Sequence, residues 1–313
     1  MHTRKLGQYG PPLSVIGLGA WAIGGAWRWG WGPSDDQESV RTIHRALDLG
    51  INWIDTAAVY GLGHSERIVG QAVKGRRDRV FIATKCGLVW DDHGKVWNDI
   101  SPQSIRRELE ASLQRLETDY IDLYQIHWPH ANQSETRAWQ ELARMKKAGK
   151  VRYIGVSNFN VPLLKKCQSI SPIDSVQPPY NLLQREAEAD ILPFCQDNNI
   201  GVIAYSPMRS GLLSGRFDRS RLHASDWRSK SPMFNEPLLS QNLNFVETLR
   251  HIANDYGKTV GQLAVAWVLK HPAVTSAIVG ARTVSQVEEN VVAEAWFLDD
   301  SILKRIEQAL APS

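Results

Sequence analysis

Apolar and polar positions along this chain follow two different periods that take turns from one end to the other. Short apolar runs predict buried strands at residues 15–19, 53–55, 80–85, 123–127, 153–157, 175–177, 201–205 and 277–279. Between them, apolar residues recur every three to four positions, which predicts amphipathic helices at 37–49, 65–74, 102–116, 135–148, 162–170, 188–198, 260–271 and 284–293. Several of these open on a capping residue or an early proline, such as Ser101 with Pro102, and several close on glycine, such as Gly50 and Gly149.

Strict alternation of eight strands with eight helices predicts a parallel sheet closed into a (β/α)8 TIM barrel, one domain over residues 1–313. Ahead of it, "RKLGQYGPPLSV" places two apolar pieces around a Gly/Pro turn, an N-terminal β-hairpin expected to plug the barrel bottom. The long loop after strand 7, residues 206–237, carries "SPMRSGLLSGRF", and loops of that length in a compact domain are usually functional or mobile. The sequence contains no domain linker, internal repeat or low-complexity tract.

Composition narrows the picture. A hydrophobic content of 43% with 22% charged residues is that of an ordinary globular protein rather than a disordered chain. The formal charge of +3 is small and its cations are scattered, which argues against a nucleic-acid partner while suiting an anionic small molecule. Cys86, Cys167 and Cys195 are too few and too far apart for a zinc site or disulfide framework, and read as reduced thiols. No apolar run reaches the roughly 18 residues of a membrane span, and the first residues lack the apolar core of a signal peptide. No membrane partner and a cytoplasmic location are expected.

Chemistry in such a barrel belongs at the C-terminal ends of its strands. Asp55, Lys85 and His127 fall at predicted strand ends, and Tyr60 follows five residues after Asp55 in "NWIDTAAVYG". Taken singly, each is more often a satisfied ion pair or a core side chain. Together they form a usable set. An ammonium held by a carboxylate favours the phenolate of a neighbouring tyrosine, lowering its pKa from the usual high value. The phenol is then expected to protonate a carbonyl oxygen as a hydride arrives at its carbon, while the imidazole orients that oxygen.

The motifs "GINWIDTAAVYG", "IATKCG", "DLYQIHWP", "IGVSNF", "VQPPYNLL", "AYSPMRSGLLSG" and "IVGARTVSQVEEN" occur in this order along nearly the whole chain. In this the sequence resembles the aldo-keto reductases, more closely the bacterial and potassium-channel subunit branches, as "VYGLGHSE" indicates. The resemblance implies Asp55, Tyr60, Lys85 and His127 as the catalytic tetrad. It implies NADPH/NADP+ along the barrel rim, bound without a Rossmann fold. Gly19, Ala20 and Trp21 would lie at the nicotinamide, Ser157, Asn158 and Gln177 at its carboxamide, and Tyr205 stacked on its ring. Ser206, Pro207, Met208, Gly211, Leu213 and Gly215 would wrap the pyrophosphate. Gly280, Ala281 and Arg282 would lead to the 2′-phosphate, with Gln286, Glu289 and Asn290 around the adenosine.

One departure bears on the cofactor. Better-known family members carry a further lysine near Arg282 and an arginine where this chain has Gln286, so NADP is expected with NAD also possible. For the substrate, Trp21, Trp90 and Trp128, with Trp227, are the candidate walls, and Arg28, Asp91, Asn98 and His130 the polar candidates, none of them singled out. Aliphatic, aromatic and sugar-derived carbonyls all suit flat aromatic walls. No metal is expected. The readings are a carbonyl reductase, a sugar or alcohol dehydrogenase running oxidatively, or a nicotinamide-sensing subunit with little turnover. Monomer and homo-oligomer stay equally open.

Overall fold

The computed structural model describes residues 1–222 and 226–310, so part of the expected 206–237 loop, residues 223–225, lies outside the described residues. The chain opens on an antiparallel hairpin, β1 (Thr3–Lys5) and β2 (Pro12–Ser14). The strands that follow are β3 (Ile16–Gly19), β4 (Trp53–Asp55), β5 (Phe81–Cys86), β6 (Leu88–Trp90), β7 (Val96–Asn98), β8 (Ile121–Ile126), β9 (Val151–Ser157), β10 (Ser175–Gln177), β11 (Gly201–Ala204) and β12 (Val274–Gly280). Eight of them, β3, β4, β5, β8, β9, β10, β11 and β12, pair in parallel and close with β12 against β3: a (β/α)8 TIM barrel. All eight predicted strands are present, within three residues at each end.

The surrounding helices are α1 (Asp36–Asp48), α2 (His64–Val73), α3 (Pro102–Arg115), α4 (Glu135–Lys147), α5 (Val161–Gln168), α6 (Ile191–Asp197), α7 (Leu238–Asn254), α8 (Val260–Lys270), α9 (Val284–Val291) and α10 (Asp300–Leu310). Their starts are set locally: Asp35, Ser101, Ser134, Asn160, Thr259 and Thr283 each accept a hydrogen bond from a first-turn amide, and Thr259 with Gln262 completes a capping box.

Three elements depart from strict alternation. The hairpin β6–β7 rises from the end of β5, two helices rather than one precede β12, and α10 follows α9. The helix predicted at 188–198 begins only at Ile191, after a 3-10 turn at Glu186–Glu188.

The lumen below the rim is filled by Trp53, Phe81, Ala83, Leu123 and Ile203, with Ile278 reaching up to the rim cavity, and is closed from below by Leu6 and Leu13 of the N-terminal hairpin, both fully buried. Glycine at position 17 makes this possible, because a β-carbon there would lie 2.0 Å from the Trp53 ring. That indole donates to the Ser14 carbonyl and Ser276 Oγ, both at 3.1 Å. With the bottom sealed and apolar, the open C-terminal rim is left for polar chemistry.

Candidate active site

β4 ends on Asp55 and β5 carries Lys85 one residue before its end, both facing the lumen. The Lys85 ammonium donates to Asp55 Oδ2 at 2.7 Å, to the Thr56 carbonyl at 2.9 Å and to the Tyr60 hydroxyl at 3.2 Å, which uses its three protons. Asp55 Oδ1 accepts from Gln177 Nε2 at 2.9 Å, so β10 holds the other side of the carboxylate. His127 follows β8 directly, its ring edge-on to Tyr60 at 5.8 Å between centroids. The four residues expected to act together are therefore adjacent.

Tyr60 reaches this position through a turn that needs glycine. Gly61 has φ +61°, and a β-carbon on it would lie 2.0 Å from the Gly24 carbonyl oxygen. The two segments meet backbone to backbone, which lays the 3-10 turn Trp21–Gly24 over the phenol. Trp21 stacks on Tyr60 at 6.2 Å, and Trp227 stacks on Trp21 at 5.8 Å.

Burial governs the protonation states. Desolvation and the nearby Asp55 charge push the Tyr60 phenol well above its ordinary value. The expected lowering by Lys85 is thus reversed at this site: losing water costs the phenolate more than the ammonium returns, and Tyr60 is a protonated donor. His127 is pushed well below its usual range by burial and by the Lys85 charge, so its imidazole is neutral. Burial also pushes Lys85 down and Asp55 up, each opposed by the charge of the other.

From this point a cavity of about 1040 Å³ runs along the rim to α9. Gly19, Trp21, Ser157, Asn158, Gln177, Tyr205, Ser206, Pro207, Met208, Gly211, Gly280, Ala281, Arg282, Gln286, Glu289 and Asn290 all line it. Asn158 is fixed by donating to the His127 carbonyl at 3.0 Å and Ser157 Oγ at 3.1 Å, and it accepts from the Tyr205 hydroxyl at 2.8 Å. Tyr205 is thereby held as a flat aromatic wall. Arg209, Ser210 and Gly211 take successive left-handed conformations, φ 46°, 52° and 92°, a tight turn of small and basic residues that lets backbone amides approach an anion. An aromatic platform, an anion-binding turn and two arginines at the far end fit a nicotinamide dinucleotide.

Three expected cofactor residues do not reach the cavity. Ala20 is fully buried, its amide donating to the Asp55 carbonyl and its carbonyl accepting from Ser65 Oγ. Leu213 turns into the core, and Gly215 packs against Val260, so the flanking Ser214 and Arg216 face the cavity instead. Trp90, expected as a substrate wall, lies under the Arg115 guanidinium, 5.7 Å from its ring centroid. Two residues farther along the β6 strand carry it roughly 7 Å beyond the rim, and Leu88 takes the wall position.

Trp128 and Trp227 do line the cavity, as do Trp27, Trp29 and Trp31. Of the polar candidates, Arg28 covers the Trp29 ring, Asp91 caps the β6–β7 turn, Asn98 donates to the Pro129 carbonyl, and His130 accepts from the Asn132 amide; none lines the cavity. Arg209 and Arg216 were missed by sequence reasoning, although both interrupt the small-residue run of the loop. Cys86, Cys167 and Cys195 are free and buried. Among the described residues no three His, Cys, Asp or Glu gather as metal ligands, and no helix is long and apolar enough to cross a membrane.

The Aldo/keto reductase family model matches residues 15–311. The chain is 40% identical to the aldo-keto reductase YhdN of Bacillus subtilis, over 99% of this chain and 94% of that protein. It is 37% identical to the NADH-specific methylglyoxal reductase of Escherichia coli, over 99% of each. Among solved structures, the glycerol dehydrogenase AKR11B4 from Gluconobacter oxydans superposes with a TM-score of 0.89 at 41% identity, covering 98% of this chain and 94% of that one. The chain belongs to the aldo/keto reductase family, oxidoreductases that act on small-molecule carbonyl compounds with a nicotinamide cofactor.

Proposed function

We propose that this protein, as one barrel domain, is an NADPH-dependent reductase of aldehydes or ketones in which Tyr60 donates the proton. The observation that carries this reading is the Tyr60 hydroxyl itself, 3.2 Å from an ammonium and at the inner end of an aromatic-walled cavity, where burial pushes its pKa up. When bound, the nicotinamide supplies the hydride. Tyr60 donates to the carbonyl oxygen as negative charge grows there, and Lys85 stabilises the phenolate left behind. Asp55 keeps Lys85 charged and aimed, while neutral His127 orients the oxygen through a hydrogen bond. Trp21, stacked on the phenol and itself covered by Trp227, shields the reacting groups from water.

The cofactor preference rests on Arg282 and Arg216, the two guanidinium groups at the adenosine end. Each already has partners. Arg282 donates to the Trp31 carbonyl at 3.1 Å and to that of Pro33, while Arg216 pairs with Glu289 at 2.8 Å. A 2′-phosphate would compete successfully with neutral carbonyls for Arg282, which favours NADPH. The Glu289 carboxylate disfavours it, and the NADH-specific relative keeps NADH as the second cofactor reading.

A second reading of direction is oxidation of a polyol or alcohol, favoured by the similarity to a structure described as a glycerol dehydrogenase. The test follows absorbance of NADPH and NADH with aliphatic, aromatic and sugar-derived aldehydes, and of NADP+ and NAD+ with polyols. Tyr60→Phe should abolish turnover while cofactor binding holds. Near-wild-type turnover in that variant would sink the proposed proton donor.

A further inference from the structure

Level with Lys85 and one layer below His127 and Gln177, an inward-facing row of the barrel runs Lys85, Gln125, Gly155, Ser175, each the register partner of the next on β5, β8, β9 and β10. Gln125 lies two residues below His127, and Ser175 two below Gln177, so both face the lumen directly under the site. Both are 0% exposed. Neither amide atom of Gln125, nor Ser175 Oγ, has a hydrogen-bond partner among the described residues.

These side chains converge on one place. A β-carbon on Gly155 would lie 3.3 Å from Gln125 Cγ and 3.2 Å from Ser175 Cβ. The nearest atom is the Ser175 carbonyl oxygen, at 2.6 Å, so the position admits only glycine, with the Gln125 and Ser175 side chains packed on either side of it. A buried amide and hydroxyl with no partner carry a full desolvation penalty, whereas one water bonded to both relieves it, since buried waters typically take two to four polar partners.

We infer that this layer is an internal water site, in which the Gln125 amide and the Ser175 hydroxyl hold ordered water beside Lys85, and that Gln125 acts through it as a positioning residue for the Lys85–Asp55 pair. The three ammonium protons are already committed, to Asp55, Thr56 and Tyr60. The water therefore acts as a polar neighbour that offsets the desolvation of the ion pair, not as a ligand of the ammonium. An apolar layer in its place makes the neutral pair easier to reach.

The water site stands without any assumption about turnover, while its effect on Lys85 rests on the reductase reading. Two measurements keep them apart. A crystal structure at high resolution should show density within hydrogen-bond distance of Gln125 and Ser175 Oγ, and a dry lumen there overturns the proposal. In steady-state reduction, Gln125→Met, close in volume but unable to hold the water, should move the alkaline limb of kcat to lower pH by about 0.5–1 unit, the order of one hydrogen bond. KM for the cofactor should hold, and Gln125→Asn should restore part of the shift. An unmoved limb in Gln125→Met together with raised thermal stability means a dry layer that prefers methionine, and the positioning role fails. Should Gln125→Met not fold, Ser175→Ala carries the same expectation with a smaller shift, and an unmoved limb there counts against it equally.

Discussion

Lys85 and Asp55 form a 2.7 Å ion pair with 1% of the lysine and 3% of the aspartate exposed, so neither charge has solvent to fall back on. Removing one partner strands the other. Asp55→Ala should cost about 3 kcal/mol or more of stability, and Lys85→Met a similar amount. The double variant should cost clearly less than the two added together, because no unpaired charge remains. Chemical denaturation of the four proteins closes the cycle. Additive losses would mean that the pair contributes packing only.

The same burial sets the pH dependence of reduction. Lys85 is pushed below 10.5 while Tyr60 is pushed well above 10, so on raising the pH the ammonium loses its proton before the phenol does. Asp55 is pushed above 3.8, so on acidification its charge is lost earlier than for a free carboxylate. The expected kcat profile is a plateau that falls in acid with Asp55 and in alkali with Lys85. It should be flat near 6.5, since His127 is already neutral there. Lys85→Arg should move the alkaline limb upward, because a guanidinium keeps its proton. An inflection near 6.5 that disappears in His127→Gln would show a charged imidazole instead.

Much of this site is legible in the sequence for a specific reason. Buried parallel strands are short uninterrupted apolar runs, so a polar residue at the end of one, as with Asp55 and Lys85, stands out against its neighbours along the chain. Helices α7 and α10 escaped because a long polar stretch and a charged terminal segment masked their apolar stripes. Trp90 and Leu213 escaped because which way a turn or hairpin aims its side chains depends on what packs beneath, Arg115 in one case and the core in the other. The Tyr60 phenol ran opposite to expectation because proximity to Lys85 is visible in a motif, whereas the desolvation of the phenol is a property of the assembled rim.

Glu108 is a buried acid that no proposed step uses, and it makes stability depend on pH. Its carboxylate accepts from the Gly87 amide at 2.9 Å and Ser104 Oγ at 3.2 Å, yet burial raises its pKa from 4.5 to about 8. Between those values the folded state binds the proton and the unfolded state does not, so stability falls as pH rises through the window. Glu108→Gln removes this titration. Its thermal midpoint should exceed that of the wild type at pH 9 and change less between pH 5 and pH 9. Parallel curves for the two proteins would place the sensitivity elsewhere.

Arg282 separates the two cofactors. Its guanidinium bridges the Trp31 and Pro33 carbonyls and its amide donates to Gln286 Oε1 at 2.7 Å, so it sits where α9 begins and the tryptophan-rich loop ends. A phosphate on the adenosine ribose adds a charged acceptor there, and a hydrogen bond to a charged group is worth roughly 1.5–3 kcal/mol, about 10- to 100-fold in kcat/KM. Arg282→Ala should lower kcat/KM for NADPH by that factor and for NADH much less. Gln286→Arg should raise the preference for NADPH, since it adds a second guanidinium to the same turn. An equal loss with both cofactors in Arg282→Ala would reduce its role to holding residues 31–33 in place, and discrimination would then fall to Arg216 and Glu289, whose 2.8 Å pairing a 2′-phosphate must loosen before it can use the arginine.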